Sequence, residues 1–504
     1  MSIDANTEFE AVIGLEVHCQ LSTDSKIFCS CQARTPETQS VGDIAVNSNT
    51  CPVCTGQPGT LPTLNRKVIE FAVKAGLATN CEIRPRSIFA RKNYFYPDLP
   101  KGYQITQFDR PICEDGWLQI ETKQYGFKKI HIERIHIEED AGKNVHMSGY
   151  SLVNLNRAGT PLIEIVSGPD MRSSEEAGAY LRGLHAVVTY LGITDGNMQE
   201  GNFRCDANVS VRPKGTEKFG TRAEIKNVNS FRFVEKAIDH EIIRQSELLR
   251  SGGKVVQETR GYDSQKNSTY SMRSKEEAHD YRYFPEPDLI PLLVEQSFIE
   301  EIRKQLPELP DQKRTRWITT LSLTPYDAGV LSASQSLAHF FEQILELISF
   351  GDLQKNGMTL ASAAKAAANW VTGEISRLLN EESIEIFHSK LTPSHVAQVI
   401  LLVQSQELSS TGAKQVINSA WKSGHSVASI VERDGLKQVS DLSALEPVVE
   451  QVIAANPGQV NDYRAGKEKL LGFFVGQVMK QTGGKANPAL LQEMVKNKLK
   501  QPSS

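Results

Sequence analysis

Residues 11–21 read AVIGLEVHCQL, with apolar residues at alternate positions. In an extended chain Ile13, Leu15, Val17, Cys19 and Leu21 share one face, and Gly14, Glu16, His18 and Gln20 share the other. This is the pattern of a strand with one face in a core. Successive residues on a face are about 7 Å apart, so Glu16 and His18 can converge on one ion or ligand. The plainer alternative is an isolated acid and imidazole on a solvated sheet face.

The pattern recurs in other segments. FRCDANVSV (203–211) puts Phe203, Cys205, Ala207, Val209 and Val211 on one face and Arg204, Asp206, Asn208 and Ser210 on the other. TRAEIKNVNSF (221–231) groups Arg222, Glu224 and Lys226 opposite Ala223 and Ile225. HIEEDAGK (136–143) ends a strand on Glu138, Glu139 and Asp140. If these strands share one sheet, their acids gather in one basin. Clustered carboxylates repel one another unless a cation neutralises them. Oxygen donors with one imidazole suit Mg²⁺, Ca²⁺ or Mn²⁺, and Mg²⁺ with few protein ligands usually accompanies phosphates. Glu138 and Glu139 point to opposite faces of an ideal strand. Either the strand has ended there, or a bulge near Arg134, where the apolar phase slips from Ile132 to Ile135, re-aims it.

The texture changes near residue 290. Before it, short alternating segments such as WLQIETK (117–123) and PLIEIVSG (161–168) are separated by Gly, Pro, Asn and Asp. Helical patterns intervene at about 65–79, 173–191 and 230–253, the last stopped by Gly252–Gly253. YRYFPEPDLIPLL (281–293) carries three prolines and marks a boundary. Beyond it the chain is helical; Leu360, Ala364, Ala367, Val371, Ile375 and Leu378 keep helical spacing. A second break falls at 407–412. The expected class is therefore α+β: a large β-rich domain with helices over 1–293, an all-α domain over 294–408 and a small α-helical domain over 409–504.

The 504 residues carry a formal charge of −4, which argues against a non-specific nucleic-acid coat. Between Lys467 and Lys500 seven Lys stand against two Glu, either a solvated helix face or a polyanion contact. The longest apolar runs are too short to span a bilayer, and the polar, acidic residues 1–10 lack a signal or transit pattern, so the expected compartment is the cytosol.

All eight cysteines lie between 19 and 205. Cys29-x-Cys31 and Cys51-x-x-Cys54 form two close pairs separated by nineteen residues. Two such pairs can close a tetrahedral zinc site with no open position, which makes it structural, in an insertion at about 29–54. The alternative is four ordinary or redox cysteines. Cys19, Cys81, Cys113 and Cys205 stand alone and read as small buried hydrophobes. G-x-x-x-x-G-K-[ST], G-x-G-x-x-G and G-x-S-x-G motifs are all missing, so neither a standard phosphate loop nor an acyl-transfer nucleophile is visible.

Several long motifs resemble one family. They are IGLEVHCQL, TCPVCTGQPGTLPTLN, RKNYFYPDLPKGYQITQF, IHIEEDAGK, NRAGTPLIEIVSGPDMRS, MQEGNFRCDANVSVR, AEIKNVNSFRFVEKAI, DYRYFPEPDLIPL and LLGFFVGQVMKQTGGKANP. Together they are similar to the B subunits of the GatCAB-type aspartyl/glutamyl-tRNA(Asn/Gln) amidotransferases over nearly the whole chain. The resemblance implies a cradle domain with the active site, a helical domain and a YqeY-like tail. It implies a carbon–nitrogen ligase in which ATP phosphorylates the side-chain carboxylate of Glu-tRNA(Gln) or Asp-tRNA(Asn). Ammonia from a glutaminase A subunit then displaces phosphate. A small C subunit, misacylated tRNA and the cognate non-discriminating aminoacyl-tRNA synthetase are the implied partners, with no membrane. The family's Mg²⁺ and ATP site maps onto Glu16, His18, Glu138, Glu139, Asp206 and Glu224, with Glu16, His18, Glu139 and Glu224 as Mg²⁺ ligands. Lys226, or Arg222, is expected to neutralise the transferred phosphate, although a plain salt bridge of Lys226 with Glu224 is equally open. Zn²⁺ is expected on the four paired cysteines. KNYFYPDLPKGYQ (92–104) lines the ammonia route or forms a packed aromatic loop. The rival class is a non-catalytic, zinc-containing tRNA-binding scaffold.

Overall fold

The computed structural model describes residues 7–33, 44–123, 126–274, 280–382, 384–438, 442–482 and 486–500. The alternating segments pair into one nine-stranded mixed sheet. Across it the order is Ser268–Ser274, Glu258–Asp263, Ala223–Val228, Phe203–Pro213, Phe9–Gln20, Pro161–Ser167, Gly126–Glu139, Cys113–Thr122 and Glu82–Ile83. Neighbours are antiparallel except Ala223–Val228 beside Glu258–Asp263. The Phe9–Gln20 strand sits at the centre, and Ile13, Leu15, Val17 and Cys19 are fully buried beneath it.

Three amphipathic helices, Arg66–Ala78, Ser174–Tyr190 and Phe231–Arg250, supply Val68, Phe71, Tyr180, Leu184, Val234 and Ile238 to the same core as Leu15 and Val17. Each starts on a side-chain cap, from Asn65, Ser173 and Ser230 respectively, which satisfies a first-turn amide. Cys19, Cys81, Cys113 and Cys205 are buried.

The Gly126–Glu139 strand does not end before its acids. It stays paired to Pro161 at Glu139, and it carries one extra residue against its neighbour between Ile132 and Arg134. This bulge carries the apolar phase from Ile130 and Ile132 to Ile135 and Ile137, all fully buried.

The proline-rich stretch is stitched into this first compact unit, Met1–Leu309. Phe284–Pro285 pairs with Ala90–Arg91, and Leu292–Leu293 pairs with Arg86–Ser87. Ile299 and Ile302 of the following helix, Gln296–Gln305, join the same core.

Among its described residues the second unit, Pro310–Ser504, is built of helices, with one isolated antiparallel bridge between Leu408 and Lys437. The expected helix from Leu360 runs to Trp370, makes one π-helical turn at Val371–Ile375 and resumes at Ser376–Glu382. The Ser376 hydroxyl donates to the Val371 carbonyl at 2.7 Å inside that turn. Leu360, next to the cap residue Thr359, stays exposed, while Ala364, Ala367, Val371, Ile375 and Leu378 are buried. Helices Leu442–Ala454, Pro457–Arg464, Leu470–Gln481 and Pro488–Lys500 close a separate small core around Val449, Phe474, Val478 and Leu491. No helix among the described residues is long and apolar enough to cross a membrane.

The two faces of the central strand differ in what truncation costs. Leu15→Ala is expected to destabilise the first unit by about 2–5 kcal/mol, whereas Gln20→Ala on the other face changes it by less than about 0.5 kcal/mol. Denaturant unfolding measures both; equal shifts would contradict the assignment of faces.

Candidate active site

Strand register brings the polar residues of five adjacent strands side by side. Glu16 stands opposite Asp206, and Asn208 stands opposite Glu224. On the other flank His18 stands opposite Glu164, and Glu164 stands opposite His136. The bulge puts His136 and Glu138 on this face too. Two groups result.

The first is built on Glu164. His18 Nε2 lies 3.2 Å from it and 3.7 Å from Glu138. His136 Nε2 lies 3.4 Å from Glu164 and 3.9 Å from Glu138. Glu138 also accepts from the Thr106 hydroxyl at 3.4 Å. Burial alone would lower the His18 pKa. The carboxylates of Glu164 and Glu138, with Asp206 beyond, outweigh burial and hold it at about 9. Burial would raise Glu164, but His136 and His18 hold it well below the usual carboxylate range.

The second group is built on Lys226. Its ammonium lies 2.5 Å from Asp206 and 3.0 Å from Glu224. Glu224 accepts from the Thr259 hydroxyl at 3.2 Å, and Glu16 accepts from the Asn208 amide at 2.8 Å. Among the described residues no cation pairs with Glu16. Burial first, and then Glu164, raise its pKa against the pull of Asn208; Glu224 and Asp206 raise it further.

Glu139 does not join either group. Its side chain turns the other way, where it pairs with Lys101 and accepts from the Ile105 amide at 2.8 Å. Strand alternation after the bulge dictates this split: Glu138 follows His136, and Glu139 follows the core residues Ile135 and Ile137. Lys101 and Glu139 line a small cavity of about 70 Å³ with Cys29, Cys54 and Tyr103. Arg222 precedes its strand and is exposed. Asp140 is buried between Arg157 at 3.3 Å and Arg204 at 3.2 Å.

Sequence reasoning missed Glu164 and His136. Glu164 is the one charged residue in PLIEIVS, a strand buried along its whole length. An acid inside such a run needs buried partners, and that was the available signal.

Donor atoms of His18, Glu138 and Glu164 lie within 4.8 Å of one another. An octahedral Mg²⁺ with ligands at about 2.1 Å needs neighbouring donors about 3 Å apart, so modest rotations fit a cation once His18 loses its proton. The sulfurs of Cys29, Cys31, Cys51 and Cys54 form a second such cluster. Tetrahedral zinc at about 2.3 Å from each sulfur separates them by roughly 3.8 Å, which this quartet can reach. The Cys51 amide donates to Cys54 Sγ at 3.1 Å. The Cys54 thiol is pulled well below its usual range by a hydrogen bond from Cys29, against burial, with help from the Cys51 amide and Lys26. A cluster that already favours a thiolate suits a metal.

Known proteins resemble this chain over nearly its whole length. A family model described as the GatB/GatE catalytic domain matches residues 11–300, and one described as a GatB domain matches residues 351–499. The B subunit of the aspartyl/glutamyl-tRNA(Asn/Gln) amidotransferase of Trichlorobacter lovleyi is 57% identical over 492 residues, covering 97% of this chain and 99% of that one. The proteins of the same name from Geotalea uraniireducens and Persephonella marina are 55% and 52% identical, each covering 98% of this chain and 99% and 100% of their own length. With a catalytic-domain model spanning most of the sheet unit and full-length relatives above 50% identity, this chain belongs to the family of aspartyl/glutamyl-tRNA(Asn/Gln) amidotransferase B subunits.

Proposed function

We propose that this chain is the subunit that activates and amidates the side-chain carboxylate of a misacylated tRNA, Glu-tRNA(Gln) or Asp-tRNA(Asn), at the expense of ATP. The observation that carries the reading is the gathering of Glu16, His18, Glu138, Glu164, Asp206 and Glu224 on one sheet face, in a chain whose full-length relatives are named tRNA amidotransferase B subunits. A purely structural sheet face has no need of so many mutually repelling acids.

The chemistry asks two things of the site. A carboxylate is a poor electrophile because oxide would have to leave. Phosphorylation makes phosphate the leaving group, so ATP and the carboxylate must be held in line with the γ-phosphoryl charge neutralised. Bound Mg²⁺ would supply that neutralisation. His18, Glu138 and Glu164 are the residues to hold one such ion, with Glu16, Asp206 and Glu224 as a second acidic group facing the nucleotide. Glu139 takes a supporting role beside the Lys101 cavity rather than that of a ligand. The substrate oxygen then attacks the γ-phosphorus, and the bond to the bridging oxygen breaks with its electron pair leaving on ADP. In the second step ammonia attacks the acyl carbon, the bond from that carbon to the phosphate oxygen breaks, and the departing phosphate takes the proton that nitrogen gives up.

By its likeness to amidotransferase B subunits, this chain receives its ammonia from a glutaminase A subunit held to it by a small C subunit. The four-cysteine site binds Zn²⁺ and staples residues 29–54. The helical residues 294–408 and the tail 409–504 serve tRNA. The whole assembly, with the synthetase that supplies the misacylated tRNA as a further partner, works in the cytoplasm.

Three outcomes follow for the assembled complex. Glu16→Gln or Glu224→Gln is expected to leave fold and assembly intact and to slow tRNA-dependent formation of the γ-phosphoryl intermediate by about 100-fold or more; formation at the parent rate by either variant contradicts the site. Protein purified without chelator should contain one zinc per chain, lost in Cys51→Ser; metal analysis that finds none in the parent overturns the zinc assignment.

The third outcome concerns the tail. Lys485 lies outside the described residues, and Lys496 is exposed. The Lys498 ammonium is already 2.5 Å from both Glu446 and Glu450. Removing charge at Lys485 and Lys496 should weaken tRNA binding and flatten its salt dependence, by a slope of about 0.7–0.9 for each phosphate no longer neutralised, with Lys498→Gln having the smaller effect. Affinity unchanged across a salt series would make these lysines a solvated face.

A further inference from the structure

Lys92 lies on the Phe89–Asn93 strand, outside the large sheet, opposite Gln104 of the strand whose Thr106 hydroxyl donates to Glu138. Its ammonium makes no ion pair within 4.0 Å and donates no hydrogen bond to any described residue; its one close partner is the Tyr281 ring, 5.0 Å from Nζ to centroid. The other cations near this face are engaged. Lys226 holds Asp206 and Glu224, Arg204 holds Asp140, and Lys101 holds Glu139. Lys92 is half-buried and its ammonium is not sealed off, so its three N–H donors are open to an incoming anion.

Its surroundings fix its position. Tyr281 packs edge-on to Tyr94 at 6.0 Å and to Tyr283 at 5.9 Å between ring centroids. Tyr283 stacks flat on Phe108 at 4.0 Å. This aromatic wall limits water on one side of the ammonium and strengthens its field on the other. Burial opposes the charge of Lys92, but Glu138 and Glu164 with the neighbouring tyrosines keep its pKa above the usual lysine range. It is a permanent cation at working pH.

We propose that Lys92, and not Lys226, is the side-chain cation that receives the oxygens of the transferring phosphoryl group. The inference rests on the reading of the site as a carboxylate-phosphorylating centre. As the substrate carboxylate oxygen bonds to the γ-phosphorus, the bond from phosphorus to the β–γ bridging oxygen breaks and ADP leaves with the electron pair. No proton is exchanged, so a fixed ammonium suffices. The same ammonium faces the phosphate that leaves when ammonia attacks the acyl carbon.

The test uses the complete complex, with mischarged tRNA and ATP but neither glutamine nor ammonia, and follows ADP formed per tRNA. Lys92→Met is expected to lower the rate at saturating ATP by about 100- to 1000-fold. Assembly and thermal midpoint should stay at parent values, and the KM for ATP should move far less than kcat. Lys92→Arg, which keeps the charge, should recover at least a tenth of the parent rate. Lys92→Met forming ADP within threefold of the parent, with or without loss of the amide product, overturns the proposal. So does a Lys92→Arg variant as inactive as Lys92→Met when both assemble normally. If the parent itself forms no ADP in response to mischarged tRNA, the reading of the whole site fails, which is a separate result.

Discussion

Mutual repulsion among the acids on one sheet face is the constraint around which the first unit is arranged. Glu16, Glu138, Glu164, Asp206 and Glu224 stand on five neighbouring strands whose opposite face is sealed by three helices. The backs of these strands are fixed by full burial of residues such as Leu15, Ile163 and Val209, so the acids cannot move apart. They hold together because positive groups sit among them: His18 beside Glu164 and Glu138, and Lys226 between Asp206 and Glu224. Glu16, whose partner among the described residues is the Asn208 amide, is the carboxyl of this face whose pKa rises.

Much of this was legible because strand geometry is so regular. A period of two assigns Glu16, His18, Asp206 and Glu224 to a polar face without any knowledge of the partner strands, and pairing then needs only to place those faces together. The Ile132-to-Ile135 slip also announced a bulge, although not its consequence. That consequence is the parting of Glu138 from Glu139: one residue joins His18, and the next turns to Lys101. Two acids adjacent in the chain do two different things in space.

What stayed hidden depended on distant partners. Glu164 lies in a strand whose hydrophobic run masks its alternation, and it acquires meaning only when His18 and His136 flank it from two other strands. Lys92 reads as one basic residue among tyrosines. Its place beside the aromatic wall emerges only when Tyr281, nearly two hundred residues later in the chain, packs against it. In the helical unit the apolar spacing through Leu378 was visible, but the π-helical turn at Val371–Ile375 was not, since a single wide turn leaves the spacing almost unchanged. The Lys excess of the tail was likewise plain, while the internal pairing of Lys498 was not.

The central claim is that one polar sheet face binds a divalent cation together with a nucleotide triphosphate. A crystal structure of the chain grown with Mn²⁺ and a non-hydrolysable ATP analogue tests it most directly, because manganese reveals itself by anomalous scattering. The account predicts a manganese peak in contact with His18, Glu138 and Glu164, with the triphosphate lying over the sheet between them and Glu224. Nucleotide and metal bound elsewhere, with the His18–Glu164 pair undisturbed, would contradict it.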